Sequence, residues 1–294
     1  MLTPYPHQKM GTEYLLDNNG GAIFSEPRTG KTLMVIRAIK ESNSYPALIV
    51  APSSVMVSWH GGLIEDGVSE EDILILDSDI HKMDTFSMRN LLFDKYDWVI
   101  VNYEKVEPLD ILSFYQDISK VYDLPSYWKA IVLDESYRIA SFDSNISQHI
   151  IDNHISNIPE DQMRIIMTGT PISETALDAV QQYMFINGEF FGYTNPFAYR
   201  NAKFNQYGYK WVSKSIIHDR KVKRFIKENS YQVRLRDLNL GGAIMNGLEL
   251  LPLNDKQIML NRWIAESNHY IHNDTKESME MIEPVKAMFF HKVA

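Results

Sequence analysis

The sequence predicts an open α/β fold, with a mainly parallel sheet covered by helices on both faces. Three observations carry that reading. Short apolar runs rich in β-branched residues recur through the first 170 residues, most are continuously apolar rather than alternating, and helix-forming stretches separate them. Strands apolar on both sides are strands covered on both sides, the usual situation of parallel ones. Strand alternating with helix implies right-handed crossovers between parallel neighbours.

Taken in order, the runs read as strands are Ala22–Phe24, Ala47–Ala51, Ile73–Leu76, Trp98–Val101, Ala130–Leu133 and Arg164–Met167. Helices are expected over Lys31–Glu41, Val55–Glu65 and Ala176–Ile186. After Thr175 the texture changes. An aromatic and basic segment, Phe190–Trp211, is followed by a turn at Gly241-Gly242, a strand over Leu248–Leu253 and a helix over Asp255–Ser267. No internal repeat or low-complexity linker interrupts the chain. The expected division is a core at 1–186 and, at 187–294, a basic, aromatic and helical extension of the same lobe.

With 294 residues, 45% hydrophobic and 23% charged, the composition is that of an ordinary globular protein. No apolar run approaches the roughly 20 residues that span a bilayer. The N-terminus, MLTPYPHQKM, lacks the basic and apolar regions of a signal peptide, so a cytoplasmic setting and no membrane are expected. The absence of cysteine excludes disulfides, thiolate zinc sites and a cysteine nucleophile. Histidine spacing suggests no zinc site. The net charge of -9 argues against a nucleic-acid binder, but it conceals a reversal. Between Arg200 and Arg236 eleven Lys or Arg face only Asp219 and Glu228, a local balance of +9 that leaves -18 for the rest. So uneven a field can hold a polyanion on one face. Those cations interleave with Tyr199, Phe204, Tyr207, Tyr209 and Trp211. The lysines and arginines suit phosphates, with salt-dependent affinity, while the aromatics could stack only on unpaired bases. The competing reading is a solvated helical face whose aromatics belong to the core.

In open parallel sheets ligands bind at the carboxyl ends of strands, so chemistry is sought in the loops there. Ser25-Glu26-Pro27-Arg28-Thr29-Gly30-Lys31-Thr32 follows the first strand and opens a helix, the place of a phosphate-binding loop. Backbone N–H groups and the helix dipole hold anions at such a terminus. Lys31 would reach the β- and γ-phosphates of a nucleotide and Thr32 would ligate Mg²⁺. Asp134-Glu135 ends another strand. Adjacent carboxylates there are costly unless a cation neutralises them, so Asp134 is read as a Mg²⁺ ligand and Glu135 as the base that activates water. Thr168-Gly169-Thr170-Pro171 closes the next strand as a candidate sensor between nucleotide and nucleic acid.

The order Pro6-His7-Gln8, Gly30-Lys31-Thr32, Ala51-Pro52 with Trp59 downstream, Asn102-Tyr103-Glu104, Asp134-Glu135-Ser136-Tyr137 and Thr168-Gly169-Thr170-Pro171 resembles the first, RecA-like lobe of Swi/Snf-type superfamily-two helicase-like ATPases. Leu253–Trp263 with Gln257, and Val285–Ala294, resemble the end of that lobe. The resemblance implies ATP and Mg²⁺ as cofactors, with Gln8 reading the adenine. Arg28, Thr29, Gly30, Lys31 and Thr32 would hold phosphate. Asp134, Glu135 and Lys31 would serve hydrolysis. Pro52, Asn102, Tyr103, Thr168, Gly169 and Thr170 would lie toward duplex DNA and couple it to the nucleotide.

Departures from the family pattern are as informative. Ser25 and Arg28 stand where the phosphate loop usually has glycine. Tyr137 replaces a histidine, which questions the polar link between the acidic pair and the Thr168 loop. Ala140-Ser141 replace a lysine and an asparagine. The family hydrolyses ATP between two lobes, the second supplying arginine fingers that raise rates by about 10³ to 10⁵. Nothing after Thr170 repeats a strand–helix series. The expectation is therefore a DNA-dependent ATP hydrolase lobe, weak or inactive alone. The alternative is a non-catalytic, nucleotide-gated module that binds DNA or protein.

Overall fold

A computed structural model describes residues 2–76, 95–106, 128–155, 159 and 161–238. The turn, strand and helices expected after residue 239 lie outside the described residues. Six strands form one sheet: β1 (Gly20–Ile23), β2 (Ala47–Ala51), β3 (Ile73–Leu76), β4 (Trp98–Asn102), β5 (Ala130–Asp134) and β6 (Met163–Met167). Their order is β1-β6-β5-β2-β4-β3, and every neighbouring pair is parallel. All six expected strands are present. The first is displaced toward the N-terminus to take in Gly20, whose φ is 117 and where a Cβ would lie 2.3 Å from the Arg164 carbonyl. Only glycine lets β6 approach β1 so closely.

The period of two along each strand divides the core into two layers. Leu48 and Val50, Val99 and Val101, and Ile131 and Leu133 point to one face. Ile49, Ile100 and Val132 point to the other. The second face is covered by α1 (Pro6–Asp17), α2 (Lys31–Ser42) and α3 (Met56–Glu65) through Leu15, Val35, Ile39 and Leu63. The first is covered by α5 (Asn145–Ile155) and α6 (Asp178–Asn187), with a short α4 (Tyr103–Val106) between β4 and the residues that follow.

The basic segment folds as α7 (Pro196–Lys203), a two-stranded antiparallel hairpin of β7 (Phe204–Tyr207) and β8 (Lys210–Ser213), and α8 (Ile216–Glu228). It packs on the first face through Tyr199, Phe204, Val222 and Ile226. Arg200, its side chain only 14% exposed, is committed inward rather than held out as a phosphate contact. Its guanidinium lies 4.3 Å from the Trp211 ring centroid and 5.0 Å from that of Phe197, which pins the hairpin to the lobe by cation–π contact.

After α8 the chain returns to β1. Phe24 N donates to Tyr231 O at 2.9 Å, Tyr231 N to Ala22 O at 2.9 Å, and Glu26 N to Val233 O at 3.0 Å. This three-residue strap covers the outer edge of β1, which would otherwise present unpaired backbone groups. Met1–Leu238 forms one compact unit. Among the described residues no helix is long and apolar enough to cross a membrane.

Candidate functional site

Because the strands are parallel, their carboxyl ends share one edge of the sheet. That edge carries the loop after β1, Pro52 after β2, Asn102 closing β4, Asp134 closing β5 and Thr168 after β6.

The loop from Phe24 to Gly30 ends at the first turn of α2, whose amides have no intrahelical acceptors. Gly30 sits at φ 81. A Cβ there would lie 2.0 Å from Gln8 Nε2, so this glycine is required by the approach of α1. Thr29 Oγ1 donates to Glu26 O at 2.8 Å, closing the loop on itself. The Thr29 carbonyl in turn accepts from His7 Nε2 at 2.9 Å and Gln8 Nε2 at 3.4 Å. Pro6-His7-Gln8 is thus bonded to the phosphate-type loop rather than standing apart from it. Lys31 Nζ spans the loop and donates to Ser25 O at 3.0 Å and Glu26 O at 3.4 Å. Burial lowers the Lys31 pKa, opposed by the nearby Glu135 and Asp134 carboxylates.

Asp134 is 7% exposed, and burial raises its carboxyl pKa. Two donors keep the carboxylate oriented: Trp59 Nε1 to Oδ2 at 2.8 Å and Glu135 N to Oδ1 at 2.9 Å. Tyr103 OH donates to the Asp134 carbonyl at 2.8 Å. Tyr103 is fully buried, so it can couple β4 to the acidic pair but cannot itself face a nucleic acid. Glu135 takes a left-handed conformation, φ 51, which turns its carboxylate toward the next loop. There Thr168 Oγ1 donates to Glu135 Oε2 at 3.0 Å and accepts from Thr170 N at 3.1 Å. A Cβ on Gly169 would lie 3.3 Å from Pro27 of the first loop. Phosphate-type loop, acidic pair and Thr168 loop therefore meet in one cleft. Asn102 Nδ2 donates to Ser53 Oγ at 3.1 Å, tying the ends of β4 and β2.

The SNF2-related domain family matches residues 7–230. The chain belongs to that family.

Among relatives of this SNF2-related domain is the ISWI chromatin-remodeling complex ATPase ISW1 of Saccharomyces cerevisiae. It is 26% identical over 176 residues, covering 57% of this chain and 14% of the yeast protein. Chromodomain-helicase-DNA-binding protein 1 of Homo sapiens is 24% identical over 208 residues, covering 67% of this chain and 11% of that protein. The Sulfolobus solfataricus SWI2/SNF2 ATPase core in complex with dsDNA superposes with a TM-score of 0.52 at 19% identity, over 79% of this chain and 46% of that one. The Sulfolobus solfataricus SWI2/SNF2 ATPase core domain gives 0.50 at 20% identity, over 84% of this chain and 47% of that one. The fold is that of the SNF2 RecA-like lobe. The chain spans less than half the archaeal core and a small part of each eukaryotic relative.

Seen as an SNF2-family ATPase domain, the departures acquire physical reasons. Ser25 replaces a loop glycine, and its hydroxyl accepts from Val233 N at 3.0 Å while Glu26 Oε2 accepts from Leu235 N at 2.9 Å. The strap after α8 is thereby fastened to the phosphate-type loop. Arg28 occupies a residue at φ 66, the region that favours glycine, with its side chain exposed at the rim. Tyr137 is exposed and makes no link to the Thr168 loop. The link is made instead by Glu135–Thr168 and by Gln182 of α6, whose Oε1 accepts from Ser136 Oγ at 2.7 Å and whose Nε2 donates to Pro171 O at 2.9 Å. Sequence reasoning missed Gln182 and gave Ser136, part of the acidic motif, no role of its own. No local pattern marks their partnership, which is made only when α6 packs on β6 and on the turn that follows β5.

Proposed function

We propose that this domain binds Mg²⁺·ATP in the strand-end cleft and is the ATP-binding lobe of a motor that moves on duplex DNA. The observation that carries the proposal is the meeting of Lys31, Asp134, Glu135 and Thr168 in that cleft. Lys31 exchanges the Ser25 and Glu26 carbonyls for β- and γ-phosphate oxygens, a better partner for a half-buried ammonium. The first-turn amides of α2, from Gly30 to Thr32, hold the same oxygens. Thr32 and Asp134 would hold Mg²⁺, which would supply charge neutralisation at the phosphates. Only one or two protein ligands are needed for this ion, and the donor set is the hard oxygen type it prefers. Gln8 keeps one acceptor lone pair and one N–H beyond its bonds to Tyr5 N and Thr29 O, enough to read an adenine edge. It borders a cavity of about 390 Å³ between α2 and α3, with Thr32, Ser58 and Glu65.

Glu135 orients the attacking water once Thr168 lets its carboxylate go. Pro52, Asn102 and the Thr168–Thr170 loop stand on the same edge toward the nucleic acid, and the DNA-bound archaeal relative supports duplex DNA as the track. A second RecA-like lobe would complete the cleft and supply the arginine fingers, so this chain alone binds nucleotide better than it turns it over.

Calorimetric titration of Mg²⁺·ATP into the chain, with duplex DNA at low salt, tests the proposal. Saturable heat that Lys31→Ala abolishes is expected. Binding unchanged by Lys31→Ala removes the phosphate loop from the mechanism. Saturable binding with no turnover even after a second lobe is supplied favours the nucleotide-gated binding module instead.

A further inference from the structure

The hairpin β7–β8 has two unlike faces. Phe204 and Gln206 pair with Ser213 and Trp211; on this face Phe204 is buried and Trp211 stacks on Arg200, while Gln206 near the tip is exposed. Asn205 and Tyr207 pair with Val212 and Lys210, and all four side chains are exposed. The two-residue connection is Gly208-Tyr209, with Gly208 at φ 60, the positive dihedral a tight hairpin needs at its first position. Tyr209 is wholly exposed and Tyr207 is 64% exposed. Neither makes a hydrogen bond or ring contact among the described residues. The segment's other aromatics, Tyr199, Phe204 and Trp211, pack inward.

The base of the same hairpin is cationic. Lys214 follows β8 directly and, with Lys203, His218 and Lys221, lines an open pocket of about 310 Å³. Lys214 Nζ donates one bond, to Asn201 O at 2.6 Å, and keeps two further N–H groups. Lys203 and Lys221 both disfavour a proton on His218, after burial the main reason its pKa is lowered. From this pocket to the tip is roughly 13 Å, four residues at about 3.3 Å each. Arg220, Lys223, Arg224 and Lys227 form an exposed i, i+3, i+4, i+7 stripe on α8, opposite buried Val222 and Ile226. Of these only Arg224 is paired within the described residues, with Glu228.

We infer that the outward face of this hairpin binds an unpaired strand of DNA, its bases on Tyr207 and Tyr209 and its backbone phosphates in the lysine pocket. A duplex offers phosphates but hides its base faces, so it would use the lysines and leave both tyrosine rings in water. An acidic peptide would likewise use the charges and waste the rings. Cations at the base of the hairpin and exposed rings at its tip suit a ligand that carries negative charge and flat apolar faces together, which an unpaired strand does. In a motor on duplex DNA this places a contact for unpaired bases outside the nucleotide cleft. The inference rests on the proposed DNA-directed function only for the source of that strand.

The test is fluorescence anisotropy of the full chain with a labelled oligothymidylate, a blunt duplex and the same duplex with a single-stranded tail, without nucleotide. Tyr207→Ala and Tyr209→Ala should each weaken the oligothymidylate and the tailed duplex about fivefold or more, with the blunt duplex unchanged. Tyr→Phe at either position should restore binding, because stacking does not need the hydroxyl. Photo-crosslinking of 5-iododeoxyuridine in the tail should label Tyr207 or Tyr209. The inference is overturned if the alanine variants bind all three DNAs as the parent does, or if only Lys214→Ala and Lys221→Ala weaken binding and do so equally for blunt and tailed DNA. Those results would assign the surface to duplex phosphates or an acidic protein. Both tyrosines are exposed, so the variants should keep the parent's far-UV spectrum and Mg²⁺·ATP heat. Loss of the Lys31→Ala effect with the hairpin effects intact would sink the nucleotide proposal and leave this one standing.

Discussion

The indole N–H of Trp59 donates to Oδ2 of Asp134 at 2.8 Å, a bond between α3 and the end of β5 in which both side chains are buried. The other oxygen of Asp134 takes the Glu135 N–H, so the carboxylate has no free rotation about its last torsion. Burial alone favours the protonated acid, and the indole is the first influence to oppose it. Trp59→Phe keeps the ring and most of its packing but removes the donor. A lost hydrogen bond to a charged group costs about 1.5–3 kcal/mol. The expected outcome is a folded chain whose Mg²⁺ dependence of nucleotide binding shifts about tenfold to higher Mg²⁺, while binding at saturating Mg²⁺ is restored. A Mg²⁺ titration by calorimetry checks it. An unshifted midpoint would reduce Trp59 to a core residue.

Thr168 and Glu135 form the second relationship with a kinetic consequence. The 3.0 Å bond holds the carboxylate against the Thr168 loop, and under the proposed mechanism it must release before Glu135 can orient a water. Thr168→Val preserves shape and removes the tether. Nucleotide affinity should change less than about twofold, whereas phosphate release should become less responsive to DNA, the stimulated and unstimulated rates converging. Phosphate-release assays with and without duplex DNA, on the chain supplemented with a second lobe, measure that ratio. A ratio equal to the parent's would mean the bond does not gate hydrolysis.

The sheet was legible because β2, β4, β5 and β6 are covered on both sides. Ala47–Ala51 or Ala130–Asp134 can be read as strand with no knowledge of its neighbours. Most motifs were legible for a related reason, since they sit where a parallel strand ends; Pro6-His7-Gln8, which opens α1, is the exception. What stayed hidden depends on remote partners. Helix α1 buries Gln8, Gly11, Thr12 and Leu15, mostly small or polar residues, so it shows no apolar stripe. The hairpin buries one face only, and its alternation is blurred by Tyr207, Tyr209 and Val212 on the outside. Ser25 looked like a defect in a glycine motif. Its partner, the Val233 amide, lies 208 residues along the chain.

That partnership can be measured. Ser25→Gly would restore the usual glycine while removing the acceptor for a buried amide, and it would free the backbone of the unfolded chain. A loss of about 2 kcal/mol is expected, which for a chain of this size lowers Tm by roughly 3–4 °C. Ser25→Ala should lose less, because only the hydrogen bond is removed. Thermal melts of the two variants give the comparison. If Ser25→Gly melts at or above the parent, the strap is not held through this hydroxyl.

His218 gives the lobe a pH dependence whose sign can be fixed in advance. Its Nε2 lies 2.7 Å from the Tyr199 hydroxyl, which donates to it when the ring is neutral. Burial and then repulsion from Lys203 lower its pKa from the ordinary 6.5; Asp219 pulls the other way, and Lys221 adds the smallest push downward. The unfolded chain therefore takes up a proton at a pH where the folded chain still refuses one. Between the two pKa values the unfolded state binds more protons, so stability rises with pH there and falls as acid is added below about 6.5. His218→Gln keeps an acceptor for the Tyr199 hydroxyl and cannot titrate. Urea unfolding at about pH 7.5 and about pH 5 should show a larger loss for the parent than for the glutamine variant, since carboxylates elsewhere contribute equally to both. Equal losses would mean that the histidine carries the same proton in the folded and unfolded chains. The lysine pocket would then exert no net repulsion on it.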